Sequence, residues 1–124
     1  MISGKLIAVH IVSGDAQVLQ AARALAGGRF EIQISDTTRK AARAVQETQF
    51  DVAVIDLHPG GFSFARLMKE SPASAATRIL MLCERAADTW LCNQAGATAV
   101  ILKPLTDTTN LTEAVQKVLD QKSS

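Results

Sequence analysis

The stretch VAVIDLHPGG, residues 52–61, contains the pattern that decides the fold. Its first half would be apolar on both faces of a strand, which is typical of a central strand in a parallel sheet covered on both sides. The run then ends in a carboxylate, Asp56, followed by a leucine, a histidine, a proline and two glycines. A buried strand that ends in an acidic residue predicts a functional site at the carboxyl edge of such a sheet.

Apolar runs and helical patterns alternate along the whole chain. Strands are predicted at 5–12, 30–35, 51–57, 78–82 and 99–102, and a helical pattern follows each of them. The second strand, FEIQIS, alternates strictly between apolar and polar residues, which predicts an edge strand with one wet face. Five strands that alternate with five helices favour an α/β fold, a doubly wound parallel sheet with helices on both faces.

Several helix boundaries are marked by particular residues. The first helix is predicted to begin at Asp15, and the third is predicted to begin at Phe64. The fourth helix is predicted around 87–95. Ahead of the last apolar stripe, Asn110 and Glu113 have the spacing of a capping box.

Length and composition indicate one globular domain. The chain has 124 residues, 20% of them charged, and a formal net charge of +1. We expect residues 5–121 to be structured and 122–124 to be a candidate start of a linker. The balanced charge gives no electrostatic case for binding nucleic acid or a membrane surface. No apolar run is long enough to span a bilayer and the first residues lack a cleavable signal pattern, so we expect a cytoplasmic location.

Polar residues follow four of the predicted strands. They are Ser13, Gly14 and Asp15 after the first strand, Asp56 and His58 after the third, Cys83 and Glu84 after the fourth, and Lys103 after the fifth. Because parallel sheets carry their sites at the carboxyl ends of the strands, these residues are expected on one rim. Asp56 and Lys103 would lie within pairing reach, either as a phosphorylatable carboxylate with its charge-neutralising partner or as a rim salt bridge.

Three further residues are expected in the core. Cys83 and Cys92 form neither a C-x-x-C pair nor a zinc ligand set, so both are interpreted as small buried hydrophobic residues. His10, in the middle of the first strand, is expected to be buried and hydrogen-bonded.

Together these patterns resemble the receiver domain of bacterial two-component response regulators, the CheY-like family. The resemblance covers essentially the whole chain. It rests on FDVAVIDL, with Asp56 in the acceptor position, and on QAGATAVILKP at 94–104, with Lys103 in the place of the phosphate-contacting lysine. It implies a flavodoxin-like (βα)5 fold with strand order 2-1-3-4-5, no enzymatic activity, and a cis peptide bond before Pro104.

Two positions near the first strand depart from the pattern of that family. Receivers carry a pair of acidic residues there, because phosphoryl transfer needs Mg²⁺ held by carboxylates. This chain has Ser13 and Gly14 instead, and Asp15 lies one residue beyond. We therefore expect at most a weak Mg²⁺ site at Asp56 and Asp15, and no other cofactor.

The switch positions of the family are also altered. The serine or threonine at the end of the fourth strand is replaced by Cys83, a poor hydrogen-bond donor, and the aromatic residue of the fifth strand is replaced by Val100. Trp90, the only tryptophan, lies in the fourth helix, either as a half-buried core residue or as an exposed contact for a partner. Trp90 and Val100 are the candidate partner surface.

The leading hypothesis is an atypical receiver, or pseudo-receiver, that acts mainly as a protein-interaction module in signalling. Asp56 and Lys103 would then be an exposed remnant ion pair that contributes little to stability. The expected partners are signalling proteins, either a histidine kinase or a downstream output protein. A homodimer through the last two helices is implied by analogy with the family.

Two alternatives stay open. In the first, a partner histidine kinase phosphorylates Asp56, and Asp15 or the partner completes the metal site. In the second, the chain is a cobalamin or flavin carrier, because residues 56–61 match the pattern D-x-H-x-x-G with His58 as the lower axial ligand. Cobalamin domains carry that motif after their first strand, whereas here it follows the third.

Overall fold

The computed structural model describes residues 6–105 and 108–121, with the backbone only for 108–110. Within these residues, strands and helices alternate in the order β1 Ile7–Val12, α1 Ala16–Leu25, β2 Phe30–Ser35, α2 Thr38–Glu47, β3 Val52–Asp56, α3 Gly61–Glu70, β4 Arg78–Cys83, α4 Thr89–Gln94, β5 Ala99–Leu102 and α5 Thr108–Asp120. A 3₁₀ turn, Ala86–Asp88, precedes α4. None of the described helices is both long and apolar enough to cross a lipid bilayer.

The strands form one parallel sheet in the order β2-β1-β3-β4-β5. β3 lies at the centre, and all of its residues are buried. β2 lies at the edge, as its alternating pattern predicts, with Glu31 and Gln33 exposed. The predicted doubly wound, flavodoxin-like α/β fold is therefore confirmed.

Two apolar layers cover the sheet, because successive residues of a strand point to opposite faces. The layer against α1 and α5 takes from the strands Val9, Ile11, Val52, Val54, Leu80 and Leu82. The layer against α2, α3 and α4 takes Val12, Ala53, Ile55, Ile79, Met81 and Cys83. Both faces are closed by these layers, and polar side chains gather at the carboxyl edge.

His10 is buried within the layer on the α2 side of the sheet, as predicted. Its Nε2 lies 2.8 Å from Ser35 Oγ, and its ring stacks on Phe50 with 4.3 Å between the ring centroids. Its Nδ1 is the one buried side-chain nitrogen or oxygen of the described residues that has no hydrogen-bond partner. Burial lowers the pKa of His10 to about 4, so this histidine is neutral at pH 7.

The first and third helices begin elsewhere than predicted. Asp15 lies outside α1 and caps it, because its carboxylate accepts a hydrogen bond from the N–H of Gln17 at 2.8 Å. α3 begins earlier than predicted, at Gly61, because the N–H of Gly61 already donates to the carbonyl of Leu57 at 3.0 Å. Both differences come from local hydrogen bonds that the apolar periodicity does not reveal.

The last two helices also differ from the prediction. α4 is shorter than expected, because the residues before it form the 3₁₀ turn, in which Arg85 pairs with Asp88 at 3.1 Å. The capping-box prediction is wrong, because α5 begins at Thr108 and Asn110 therefore lies inside the helix. The predicted apolar stripe is present, with Leu111, Val115 and Val118 buried.

Candidate functional site

Asp56 ends the central strand and is held by the turn that follows it. Leu57 stays in register with β4, since its N–H donates to the carbonyl of Leu82 at 2.8 Å. The chain then turns into α3 through Gly60, whose φ of 81° lies in the left-handed region. Gly61 passes so close to Asp56 that a Cβ at this position would overlap the Asp56 carbonyl oxygen. The turn therefore requires both glycines.

The ammonium group of Lys103 binds two carboxylates at once. Its Nζ lies 2.9 Å from Asp56 Oδ2 and 2.7 Å from Asp15 Oδ2. The backbone N–H of Lys103 donates to the carbonyl of Cys83 at 2.8 Å, which fixes the start of the side chain. The peptide bond between Lys103 and Pro104, the candidate cis bond, is cis. The loop after β1, the end of β3 and the residue that follows β5 thus meet at one nitrogen atom.

The ion pair of Lys103 with Asp56 is largely shielded from solvent, which corrects the expectation of an exposed pair at the rim. The two side chains are 9% and 8% exposed. The reason is that the loop after β1 packs over the pair and contributes Ser13 and Asp15 to it. Removing Lys103 would leave the buried Asp56 carboxylate without a counter-ion, whereas removing Asp56 would leave Lys103 paired with Asp15.

Ser13 connects the Asp56 carboxylate to the backbone of Asp15 through its hydroxyl group. Its Oγ donates to Asp56 Oδ2 at 3.0 Å and accepts a hydrogen bond from the backbone N–H of Asp15 at 3.0 Å. The side chain is buried. The residue that replaces an acidic side chain of the receiver pattern is therefore a hydrogen-bond donor to Asp56.

The charges of this cluster reinforce one another. The hydrogen bond from Lys103, followed by the hydrogen bond from the N–H of Gln17, holds the pKa of Asp15 below its ordinary value. Burial acts to lower the pKa of Lys103, but the hydrogen bonds to Asp15 and Asp56 outweigh it, so the pKa lies above its ordinary value. Lys103 is therefore a fixed positive charge at neutral pH.

A cleft of about 220 Å³ opens beside Asp56. The loops after β1, β2 and β3 form it, and its lining includes Gly14, Asp36, Thr37, Thr38, His58, Pro59 and Gly60. Lys103 and Ser13 both bind Oδ2 of Asp56, whereas no described residue donates a hydrogen bond to Oδ1. Oδ1 is therefore the oxygen available to a molecule that enters the cleft.

Sequence reasoning missed part of the wall of this cleft. Asp36 and Thr37 follow β2 at the same carboxyl edge, so the rule that selected the other rim residues would also have selected them. His58 lines the cleft and is exposed, and its peptide bond to Pro59 is cis. Nothing in the residue pattern indicated this second cis bond.

The predicted switch and surface residues lie in three different environments. Cys83 is buried at the end of β4, and its thiol donates weakly to the carbonyl of Arg85 at 3.5 Å. Val100 is partly buried and packs against the layer of α2, α3 and α4. Trp90 is 61% exposed on α4, so of these three residues it alone presents a large apolar surface to solvent.

The two cysteines are buried free thiols that belong to the same apolar layer. Burial, with a further contribution from the neighbouring Cys83, raises the pKa of Cys92 to about 12. A thiol with so high a pKa is protonated at neutral pH and is a poor nucleophile. The interpretation of both cysteines as small buried hydrophobic residues is confirmed.

No protein-family model matches the sequence, and no curated protein matches it. Solved structures with the same fold are similar over nearly the whole chain. The chemotaxis response regulator CheY4 of Vibrio cholerae has a TM-score of 0.84 at 24% identity, covering 93% of this chain and 100% of that one. A response regulator from Thermotoga maritima has a TM-score of 0.82 at 19% identity, covering 94% and 99%. A CheY-like receiver domain protein from Methanospirillum hungatei has a TM-score of 0.79 at 22% identity, covering 94% and 95%. At these identities the similarity shows the fold, which is that of CheY-like response-regulator receiver domains.

Proposed function

We propose that this chain is a receiver domain of two-component signalling whose phosphorylation pocket is degenerate and which acts mainly as a protein-interaction module. It is not an enzyme under this proposal, and its partners are cytoplasmic signalling proteins. The fold supports the general class. The position of Asp56 at the end of the central strand, with Lys103 bound to it at 2.9 Å, supports the assignment of the acceptor position.

One observation carries the claim that the pocket is degenerate. The Lys103 ammonium binds both Asp56 and Asp15, the two carboxylates that could contribute to a Mg²⁺ site here. In the described part of the chain, no three His, Cys, Asp or Glu side chains are grouped as metal ligands would be. Mg²⁺ prefers several oxygen ligands in octahedral geometry, so this donor set does not fit it.

The end of β4 supports the same proposal. A receiver that responds to phosphorylation needs a hydroxyl group here to bind the phosphoryl oxygens. In this chain the position is Cys83, whose thiol is a weak donor and is already directed to the carbonyl of Arg85. A phosphoryl group on Asp56 would therefore lack one of its usual partners.

The interaction role rests on the α4 side of the molecule. Trp90 is 61% exposed, and exposed tryptophan side chains are frequent energetic centres of protein interfaces. Val100 on the neighbouring β5 is only partly buried, so the proposed partner surface combines these two residues. A homodimer through the same side is one form that this interaction could take.

Exposure to a phosphodonor tests the proposal. The protein is incubated with acetyl phosphate and Mg²⁺, and the intact mass is recorded beside that of a response regulator known to be phosphorylated. We expect no phosphoryl adduct under conditions in which the reference protein is modified. An adduct that disappears in the Asp56→Asn variant would refute the degenerate pocket.

A second candidate function is favoured by the availability of Asp56 Oδ1. In this alternative Oδ1 attacks the phosphorus of a kinase phosphohistidine, so that a P–O bond forms while the P–N bond breaks and the histidine leaves. The cleft of about 220 Å³ beside Oδ1 would admit the phosphoryl group. Asp56→Asn should abolish signalling in this case and leave it largely intact in the first.

The carrier alternative has little support. A flavin is about as large as the drug-sized ligands that usually occupy pockets of about 300–1,000 Å³, and a cobalamin is larger, whereas the cleft beside His58 measures about 220 Å³. The absorbance spectrum of the purified protein would reveal either cofactor.

A further inference from the structure

We infer that the ammonium group of Lys103 is the resident cation of this pocket and takes the place of a divalent metal ion, with Asp15 as the residue that positions it. This inference deepens the proposed function and rests on it for its biological meaning. Its test measures metal binding, which is independent of phosphotransfer.

The position of the ammonium group is the first argument. Nζ of Lys103 lies between Asp15 Oδ2, at 2.7 Å, and Asp56 Oδ2, at 2.9 Å. A metal ion that bridged these two oxygen atoms would have to displace the ammonium group. The two cations therefore compete for this bridging position.

The second argument is that several contacts hold this arrangement in place. Asp15 is fixed on one side by its cap on α1, where it accepts from Gln17 at 2.8 Å, and on the other by its N–H to Ser13 Oγ at 3.0 Å. The Lys103 side chain is only 9% exposed, and its backbone is bonded to Cys83. To admit a metal ion, the lysine would have to leave two charged partners in a partly desolvated site.

Charge is the third argument. Asp15 and Asp56 together carry two negative charges, and Lys103 reduces the sum to one. A divalent cation that entered beside the ammonium would meet a single net negative charge and a like charge a few ångströms away, so the site attracts it less strongly than two uncompensated carboxylates would. Asp15 lies one residue beyond the positions at which receivers carry their pair of acidic residues. In this inference it binds the lysine and does not bind a metal ion.

Substitution of Lys103 tests the inference directly. Mn²⁺ is titrated against the full chain and its binding followed by the paramagnetic broadening of amide NMR signals around Asp56. We expect the wild-type protein to show no saturable broadening there, because the ammonium occupies the site. Lys103→Met should gain Mn²⁺ affinity by at least about tenfold, since the two carboxylates then repel each other and no cation is present.

Two further variants separate a charge effect from a structural one. Lys103→Arg keeps the positive charge and should bind Mn²⁺ as poorly as the wild type. The double variant Lys103→Met with Asp15→Asn should lose most of the gained affinity, because one of the two carboxylates is gone. If Lys103→Met does not fold, Lys103→Gln provides the neutral side chain with a polar end.

The inference is overturned if the wild type binds Mn²⁺ near Asp56 as tightly as the neutral variants, or if a folded neutral variant gains nothing. A different result would show that the proposed function is wrong while this inference is right. Phosphorylation of Asp56 by acetyl phosphate in a protein that binds no Mn²⁺ would refute the degenerate pocket and leave Lys103 as the resident cation.

Discussion

His10 lies in the middle of β1, with its ring stacked on Phe50 and its Nε2 bonded to Ser35 Oγ. Burial lowers its pKa to about 4 from the ordinary value of 6.5, so the folded protein binds the proton less well than the unfolded chain. Stability contributed by the neutral ring is therefore complete above pH 6.5. It is lost as the pH falls from 6.5 towards 4.

This residue leads to a prediction about acid stability. We expect His10 to reduce the free energy of unfolding by about 3 kcal/mol between pH 7 and pH 4, from a pKa difference of about 2.5 units. Urea denaturation at a series of pH values measures the loss. The double variant His10→Phe with Ser35→Ala removes both polar partners and should lack this part of the pH dependence. If the free energy of unfolding depended equally on pH in the wild type and in the double variant, the assignment of this pH dependence to His10 would be contradicted.

At the residue scale the sequence predicted the members of the site better than their contacts. The strand-end rule placed Asp56, Lys103, Ser13 and Asp15 on one rim, because it needs only the order of apolar runs. It gave no sign that one nitrogen atom would bind two carboxylates, since that depends on the course of the loop after β1. It also gave no sign that the pair would be buried.

Gly61 shows how an element boundary controls the site. Its φ is not in the left-handed region, so alanine would be tolerated there by the backbone alone, yet a Cβ would overlap the carbonyl oxygen of Asp56 and lie 3.1 Å from Ile55 Cγ2. The carbonyl belongs to the central strand and cannot move without displacing β3. The close approach of α3 to the end of β3 therefore depends on glycine.

We predict that Gly61→Ala lowers the free energy of unfolding by about 3 kcal/mol, the upper range for overpacking in a closed site. Gly28→Ala is the matched control, because Gly28 has a φ of 57° and no atom within 4 Å of the added Cβ. It should cost about 1 kcal/mol, from left-handed strain alone. Denaturant unfolding of both variants gives the comparison, and a smaller effect at Gly61 than at Gly28 would count against the close approach.

Helix α4 carries a prediction about Trp90. Because this side chain is 61% exposed, Trp90→Ala should change the free energy of unfolding by no more than about 0.5 kcal/mol. The same exposure should make the fluorescence of this single tryptophan fully accessible to iodide quenching in the isolated protein. Loss of quenching when a signalling partner is added would locate the interface at α4, and weak quenching in dilute protein alone would contradict the exposed placement.

The boundaries of strands were predicted more closely than those of helices, for a physical reason. β2 and β5 have the predicted limits, β3 and β4 differ by one residue at one or both ends, and β1 begins at Ile7. A strand is visible in the sequence either as an alternating run, as in β2, or as a continuous apolar run, as in β3. Helix starts depend on capping hydrogen bonds such as that of Asp15. α4 follows a 3₁₀ turn whose ion pair, Arg85 with Asp88, has no apolar pattern.

For the whole molecule, the alternation of strands and helices was enough to predict a doubly wound sheet, and the resemblance to receivers supplied the strand order. Both are present in the structure. The fold alone does not decide the chemistry, because one fold supports several functions and the site must be argued from its own residues. In this chain the deciding residues are Ser13, Asp15 and Lys103, which bind one another and Asp56.

The most direct test of the degenerate pocket is a crystal of the wild-type protein grown in excess Mn²⁺, with anomalous diffraction data collected to locate the metal. We expect no anomalous peak between Asp56 and Asp15, and we expect Lys103 Nζ to bind both carboxylates, at about 2.7 Å from Asp15 Oδ2 and 2.9 Å from Asp56 Oδ2. A peak coordinated by both carboxylates, with Lys103 displaced, would contradict the central claim that the chain supplies its own cation.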